Sequence, residues 1–199
     1  MHLDLFDEQS IDLIDGQLKL FPALLSADEA EALLQVLLDE IDWQSETIYL
    51  YGREVLTPRL TAWYGDAGSS YRYSGVLHEP QPWTDSLQVI RQRVEATLDM
   101  AFNSVLLNLY RDGSDSVAWH SDDEPELGPE PNIASVTLGQ ERVFQIRHKQ
   151  NKQHKHVVKL PPGSLLLMQG RSQADWQHQV PKSRQPMLPR INLTFRQVL

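Results

Sequence analysis

The chain has 199 residues and 22.8 kDa, of which 41% are hydrophobic, enough for one domain with a sizeable core. It has no Cys, which excludes disulfides, thiol nucleophiles and Cys-ligated zinc or iron–sulfur centres and leaves its seven His and its carboxylates to hold any metal. The net charge of −9 argues against nucleic acid as a partner, but residues 1–46 carry 12 acids against Lys19 alone (−11), whereas residues 47–199 carry 15 acids and 17 bases (+2).

The acidic opening, Met1-His2-Leu3-Asp4-Leu5-Phe6-Asp7-Glu8, is unlike a secretory signal, and no apolar run approaches the roughly 20 residues of a membrane helix. A cytoplasmic or nuclear monomer without a membrane partner is expected. Ser26-Ala27-Asp28-Glu29 has the form of a capping box. Ala30, Leu33, Leu34, Leu37, Leu38 and Ile41 then recur at helical spacing, which predicts an amphipathic helix over about 27–42. Thr47 to Tyr73 reads as short strands and turns. A second helix is predicted over about 82–100, with Leu87, Ile90, Val94 and Leu98 on one stripe.

Beyond Asn103 the texture is β: Ser104–Tyr110, Ile133–Leu138, Val143–His148, His156–Lys159, Ser164–Gln169 and Arg190–Val198 are short runs bounded by Gly, Pro or charged turns. Many short strands after two helices predict an α+β, mostly β chain. The expected core is a sandwich or jelly roll over about 104–199, with the N-terminal helices packed on one side. With no repeat and no linker, residues 1–199 read as one domain, the acidic 1–46 being an extension with a helix.

His120 and Asp122 are two apart in Ala118-Trp119-His120-Ser121-Asp122, so on a strand they would project to one side and could share a metal. His178, in Asp175-Trp176-Gln177-His178, is a candidate third ligand beyond several strands. Two His, one carboxylate and three open positions make the facial triad of non-haem Fe(II) oxygenases. A His-x-Asp pair is also what a surface His and a turn Asp would give. His156 competes weakly, having no partner at strand spacing.

Arg190-Ile191-Asn192-Leu193-Thr194-Phe195-Arg196 alternates strictly, its polar members on one face. Such a strand either shows that face to water or lines a cavity with two guanidiniums, as a dicarboxylate would require. Asn108 and Tyr110 share a face on an earlier strand and offer an amide and a phenol.

The order Asn108-x-Tyr110, His120-x-Asp122, His178, Arg190-x-Asn192-x-Thr194-x-Arg196 closely resembles the AlkB-type Fe(II)/2-oxoglutarate dioxygenases, especially the members that repair alkylated duplex DNA. The resemblance runs from about Tyr49 to the end and includes Tyr64-Gly65-Asp66-Ala67-Gly68, Tyr71-Arg72-Tyr73-Ser74-Gly75 and Arg147-His148-Lys149. It implies a double-stranded β-helix with Fe(II) on His120, Asp122 and His178. It further implies 2-oxoglutarate held by Asn108, Tyr110, Arg190, Asn192 and Arg196, with O2 as oxidant. The implied reaction is oxidative demethylation of bases such as 1-methyladenine and 3-methylcytosine in DNA, with release of formaldehyde, succinate and CO2.

On the substrate side the resemblance implies Tyr73 stacking a flipped base over His120, beside Tyr71, and Asp123 and Glu124 contacting the exocyclic group. Tyr51 would be the wedge that fills the gap in a duplex; a Tyr at a strand end fits it equally. Arg142–Lys159 holds Arg142, Arg147, Lys149, Lys152, Lys155 and Lys159 and no acid, fitting either a solubilising edge or a phosphate-contacting hairpin. Two other classes stay open: a hydroxylase or demethylase with the same cofactors acting on RNA, protein or lipid, and a non-catalytic jelly-roll binding module.

Overall fold

The predicted capping box forms: Ser26 Oγ accepts from the Glu29 amide at 3.3 Å, and Glu29 accepts from the Ser26 amide at 2.8 Å. It starts helix α1, Ala27–Glu40. Helix α2, Asp85–Leu98, is shorter than expected because the hydroxyl of Thr84 caps it, accepting from the Leu87 amide, and Asp99 ends it in a left-handed conformation at φ 52°. In this computed structural model the described residues are 8–50, 53–69, 71–73 and 76–199, with the backbone alone for 48–50, 53, 71–73 and 76–78. Among the described residues, no helix is long and apolar enough to cross a membrane.

Fourteen strands follow in chain order among the described residues. They are β1 (Gln9–Leu13), β2 (Gly16–Phe21), β3 (Gln44–Leu50), β4 (Arg53–Gly65), β5 (Tyr71–Tyr73), β6 (Val76–His78) and β7 (Ser104–Tyr110). Then come β8 (Val117–His120), β9 (Ile133–Gly139), β10 (Arg142–His148), β11 (Lys155–Leu160), β12 (Leu165–Gly170), β13 (Trp176–Val180) and β14 (Arg190–Arg196). Eight form one sheet in the order β1-β2-β12-β9-β14-β7-β4-β3, and four form a second in the order β11-β10-β13-β8. The protein is thus mostly β, a jelly roll with helices on one side, as expected.

One apolar cluster lies where α1 and α2 pack on the large sheet, through Leu34, Leu37, Leu87, Ile90, Val105, Leu107, Val136, Ile191, Leu193 and Phe195. A second joins the two sheets, through Tyr110, Ile133, Phe144, Ile146, Val158, Leu166, Met168, Trp176 and Val180. The strand alternation of β14 therefore has two buried faces, Ile191, Leu193 and Phe195 toward the helices and the polar residues toward the second sheet.

Three expectations need correction. The segment 47–73 is not a set of short strands, since β4 runs for 13 residues; a register shift between Ser45 and Thr47 absorbs Pro58, and β4 pairs β7 only from Leu60 onward. The acidic N-terminal stretch is not merely an extension with a helix. Its β1–β2 hairpin extends the large sheet through β12, and its turn docks on the 171–176 turn. There Arg171 N donates to Asp15 O at 2.8 Å and Trp176 Nε1 to Ile14 O at 3.1 Å. Finally, Arg142 is not part of any exposed basic edge: it is 2% exposed and donates to the carbonyls of Asp112, Asp115 and Pro181.

Candidate metal and co-substrate site

Adjacent strands of the smaller sheet bring His120 and His178 opposite one another, with ring centroids 4.2 Å apart. The β8–β13 register then shifts, pairing Val180 with Val117, so that Val117 and His120 both line the cavity although they are three residues apart. Asp122 does not lie on that strand. β8 ends at His120, and Asp122 sits in the following loop, its amide donating to Gln173 Oε1 at 2.9 Å. Strand alternation therefore does not bring the pair together; the loop after β8 does.

One donor atom from each of His120, Asp122 and His178 lies within 4.8 Å of the others. Hydrogen bonding orients His120, and burial and neighbouring charges set the states of His178 and Asp122. His120 Nδ1 lies 2.8 Å from the Ala118 carbonyl, which only accepts, so Nδ1 carries the proton and Nε2 faces Asp122 at 3.8 Å. His178 is buried, and burial together with the neighbouring His120 pushes its pKa down to about 3, so it is neutral. For Asp122 burial opposes ionisation, but Arg196, at 2.9 Å from Oδ1, and the two imidazoles outweigh it and hold the carboxyl at about 2. Two imidazoles and a carboxylate are a donor set that fits a divalent first-row metal.

Across the same cavity, β14 lies between β7 and β9, so Arg190 stands opposite Tyr110 and Gly139, and Asn192 opposite Asn108 and Thr137. Arg190 is 1% exposed. Its Nη2 donates to Thr137 Oγ1 at 2.9 Å, its guanidinium lies 5.2 Å from the Tyr110 ring and interacts with that side chain, and among the described residues its Nε and Nη1 meet no acceptor within hydrogen-bond distance. Burial, with Arg142 nearby and Tyr110 opposing, lowers its pKa to about 10. A buried fork with two unused donors fits a carboxylate. Asn192 donates to Ser135 Oγ at 2.7 Å and to Val136 O at 3.2 Å, while Asn108 Oδ1 accepts from Arg59 Nε at 2.6 Å.

Glu124 lines the cavity, whereas Asp123 does not; its carboxylate is turned to Lys149 Nζ at 2.9 Å. Tyr71 and Tyr73 lie on β5, where only the backbone is described, and Tyr51 lies outside the described residues. The structure adds Glu46, Arg59, Trp63, Phe144 and Met168 to the lining. The signal for Arg59 was the alternation Arg59-x-Thr61-x-Trp63, which parallels that of β14 but runs on from Pro58.

A 2OG-Fe(II) oxygenase superfamily model matches residues 17–196, nearly the whole chain. The chain belongs to that superfamily. A human alpha-ketoglutarate-dependent dioxygenase, alkB homolog 3, is 44% identical over 188 residues, covering 90% of this chain, which spans 65% of that relative's length. The human DNA oxidative demethylase ALKBH2 is 38% identical over 189 residues, covering 90% of this chain and 72% of its own. These likenesses make this oxygenase one of the AlkB type. The solved structure of OsALKBH1 matches 95% of this chain and 100% of its own, with a TM-score of 0.68 at 16% identity, a likeness of fold. Membership of the superfamily implies Fe(II), 2-oxoglutarate and O2.

Proposed function

We propose that this AlkB-type oxygenase oxidatively removes alkyl groups from nucleobase nitrogens, with 1-methyladenine and 3-methylcytosine in DNA as substrates. One observation carries the reading: a single cavity has a His-Asp-His donor set at one side and a buried, half-partnered Arg190 at the other. When bound, iron, 2-oxoglutarate and O2 supply the oxidation that turns an N-methyl into an N-hydroxymethyl group, lost as formaldehyde while the co-substrate leaves as succinate and CO2.

The chain's own residues bind and orient. His120, Asp122 and His178 hold the metal, and Arg196 keeps Asp122 ionised. Arg190 pairs with the far carboxylate of 2-oxoglutarate, and Tyr110, Asn108 and Asn192 shape the space around it. Glu124 is the carboxylate in reach of a base's exocyclic amine, with Asp123 behind it; Tyr51, Tyr71 and Tyr73 are the aromatic residues assigned to stacking and to filling a flipped base's place.

The test is formaldehyde release from oligonucleotides carrying either lesion, with and without 2-oxoglutarate. Release that depends on 2-oxoglutarate and is lost in His120→Ala is expected. Turnover of 2-oxoglutarate stimulated by a peptide or lipid, and not by methylated DNA or RNA, would overturn the substrate assignment.

A further inference from the structure

Asp122 lies beyond the last hydrogen bond of β8, so no sheet ladder fixes it. Three consecutive residues of its loop are fixed instead by one small region. Ser121 Oγ donates to Trp176 O at 2.8 Å, the Asp122 amide donates to Gln173 Oε1 at 2.9 Å, and the Asp123 carboxylate accepts from Lys149 Nζ at 2.9 Å. Lys149 Nζ also donates to Gln173 O at 2.9 Å, and its amide donates to Asp175 O at 2.7 Å. Gln173 is wholly buried, and its Nε2 contacts Met168 Sδ and Ser172 Oγ at 3.4 Å each, so its amide has one orientation.

We propose that Gln173 and Lys149 are positioning residues for the metal: Gln173 sets where Asp122 presents its carboxylate, and Lys149 clamps the same loop to the turn end of the β10–β11 hairpin. The proposal rests on the metal reading of His120, Asp122 and His178. Two consequences follow from the geometry. Lys149 belongs to the metal loop and not to the set of exposed hairpin cations. A change at the turn end of the hairpin also reaches Asp122 through a path of two side chains, Lys149 and Gln173.

Partners that orient metal ligands typically contribute 10–100-fold in affinity when lost. Mn(II) binding to the purified full chain, without 2-oxoglutarate or DNA, is measured by calorimetry for the parent, His120→Ala, Gln173→Met, Lys149→Met and Lys152→Met. Gln173→Met keeps the length and apolar packing of the side chain and removes the acceptor for the Asp122 amide. The expected result is a roughly tenfold or greater weakening in Gln173→Met, a smaller weakening in Lys149→Met, and parent affinity in Lys152→Met.

Parent that binds no Mn(II), or binding that survives His120→Ala, would sink the metal reading itself. Binding lost in His120→Ala but equal to the parent in Gln173→Met would sink only the positioning role. If Gln173→Met does not fold, judged by circular dichroism, the comparison of Lys149→Met with Lys152→Met decides. Equal affinities there overturn the proposal.

Discussion

Arg190 is the residue whose burial is hardest to explain by stability. A guanidinium at 1% exposure, with Nε and Nη1 lacking an acceptor among the described residues, costs folding free energy that a bound carboxylate would offset. Arg190→Met should therefore raise the Michaelis constant for 2-oxoglutarate by about two to three and a half orders of magnitude, from the roughly 3–5 kcal/mol typical of a broken buried pair. It should leave the ligand-free melting temperature unchanged or higher. Steady-state kinetics and a thermal melt check the two halves; a melting temperature several degrees lower would make Arg190 a structural residue. His178 gives a pH signature in the metal-free protein. Its pKa of about 3, below the ordinary value of 6.5, means the unfolded chain binds the proton first as pH falls. The stability contributed is thus complete above about pH 6.5 and is lost progressively toward pH 3, and Asp122 at about 2 adds a loss below its ordinary 3.8. Urea midpoints of the metal-free protein should decline across that window, and less steeply in His178→Gln.

At the scale of elements, α1 is held by its capping box, so Ser26→Ala should lower stability by about 1 kcal/mol. Methylated-base turnover should stay at the parent value, since the helix packs on the far face of the sheet from the cavity. Gly139 is a sharper case. It ends β9 at φ 76°, opposite Arg190 in the ladder, and a Cβ there would run into Pro189 O and Leu34. Gly139→Ala should cost more than the roughly 1 kcal/mol of an ordinary left-handed position and should weaken 2-oxoglutarate binding by shifting the start of β14, readable in an equilibrium denaturation curve and a binding titration. These elements also show what a sequence can carry. The capping box and the strict alternation of β14 are local patterns, and both were legible. β13 was not, because Trp176, His178 and Val180 point inward while Gln177 and Gln179 alternate with them, and a His among inward residues hides the apolar period. The β1–β2 hairpin was masked by the acids around it. Asp122 was assigned for a spacing reason that the end of β8 removes; only the fold brings Gln173 and Arg196 to it.

For the whole molecule, net charge is a misleading guide because the charge is segregated. The helix α1 and its acids sit on the outer side of the large sheet, whereas the β10–β11 hairpin belongs to the other sheet. Of the six cations read in Arg142–Lys159, the fold commits four. Arg142 is buried on three carbonyls, Arg147 stacks 3.9 Å from the Trp119 ring, Lys149 is tied to Asp123 and Gln173, and Lys159 lies 3.6 Å from Glu141. Lys152 and Lys155 are exposed and form no ion pair among the described residues. A phosphate contact releases counterions, and each adds about 0.9 to the slope of log affinity against log salt on duplex DNA. The Lys152→Gln, Lys155→Gln double variant should then flatten that slope by at most about 1.8, well short of the value for six contacts. It should leave 2-oxoglutarate affinity at the parent value, since neither side chain lines the cavity. Fluorescence titrations of a duplex at several salt concentrations measure this. Equal slopes for parent and variant would make the hairpin a solvated edge. A flattening well beyond 1.8 would mean that the hairpin rearranges on DNA and frees Arg147, Lys149 or Lys159 for the backbone.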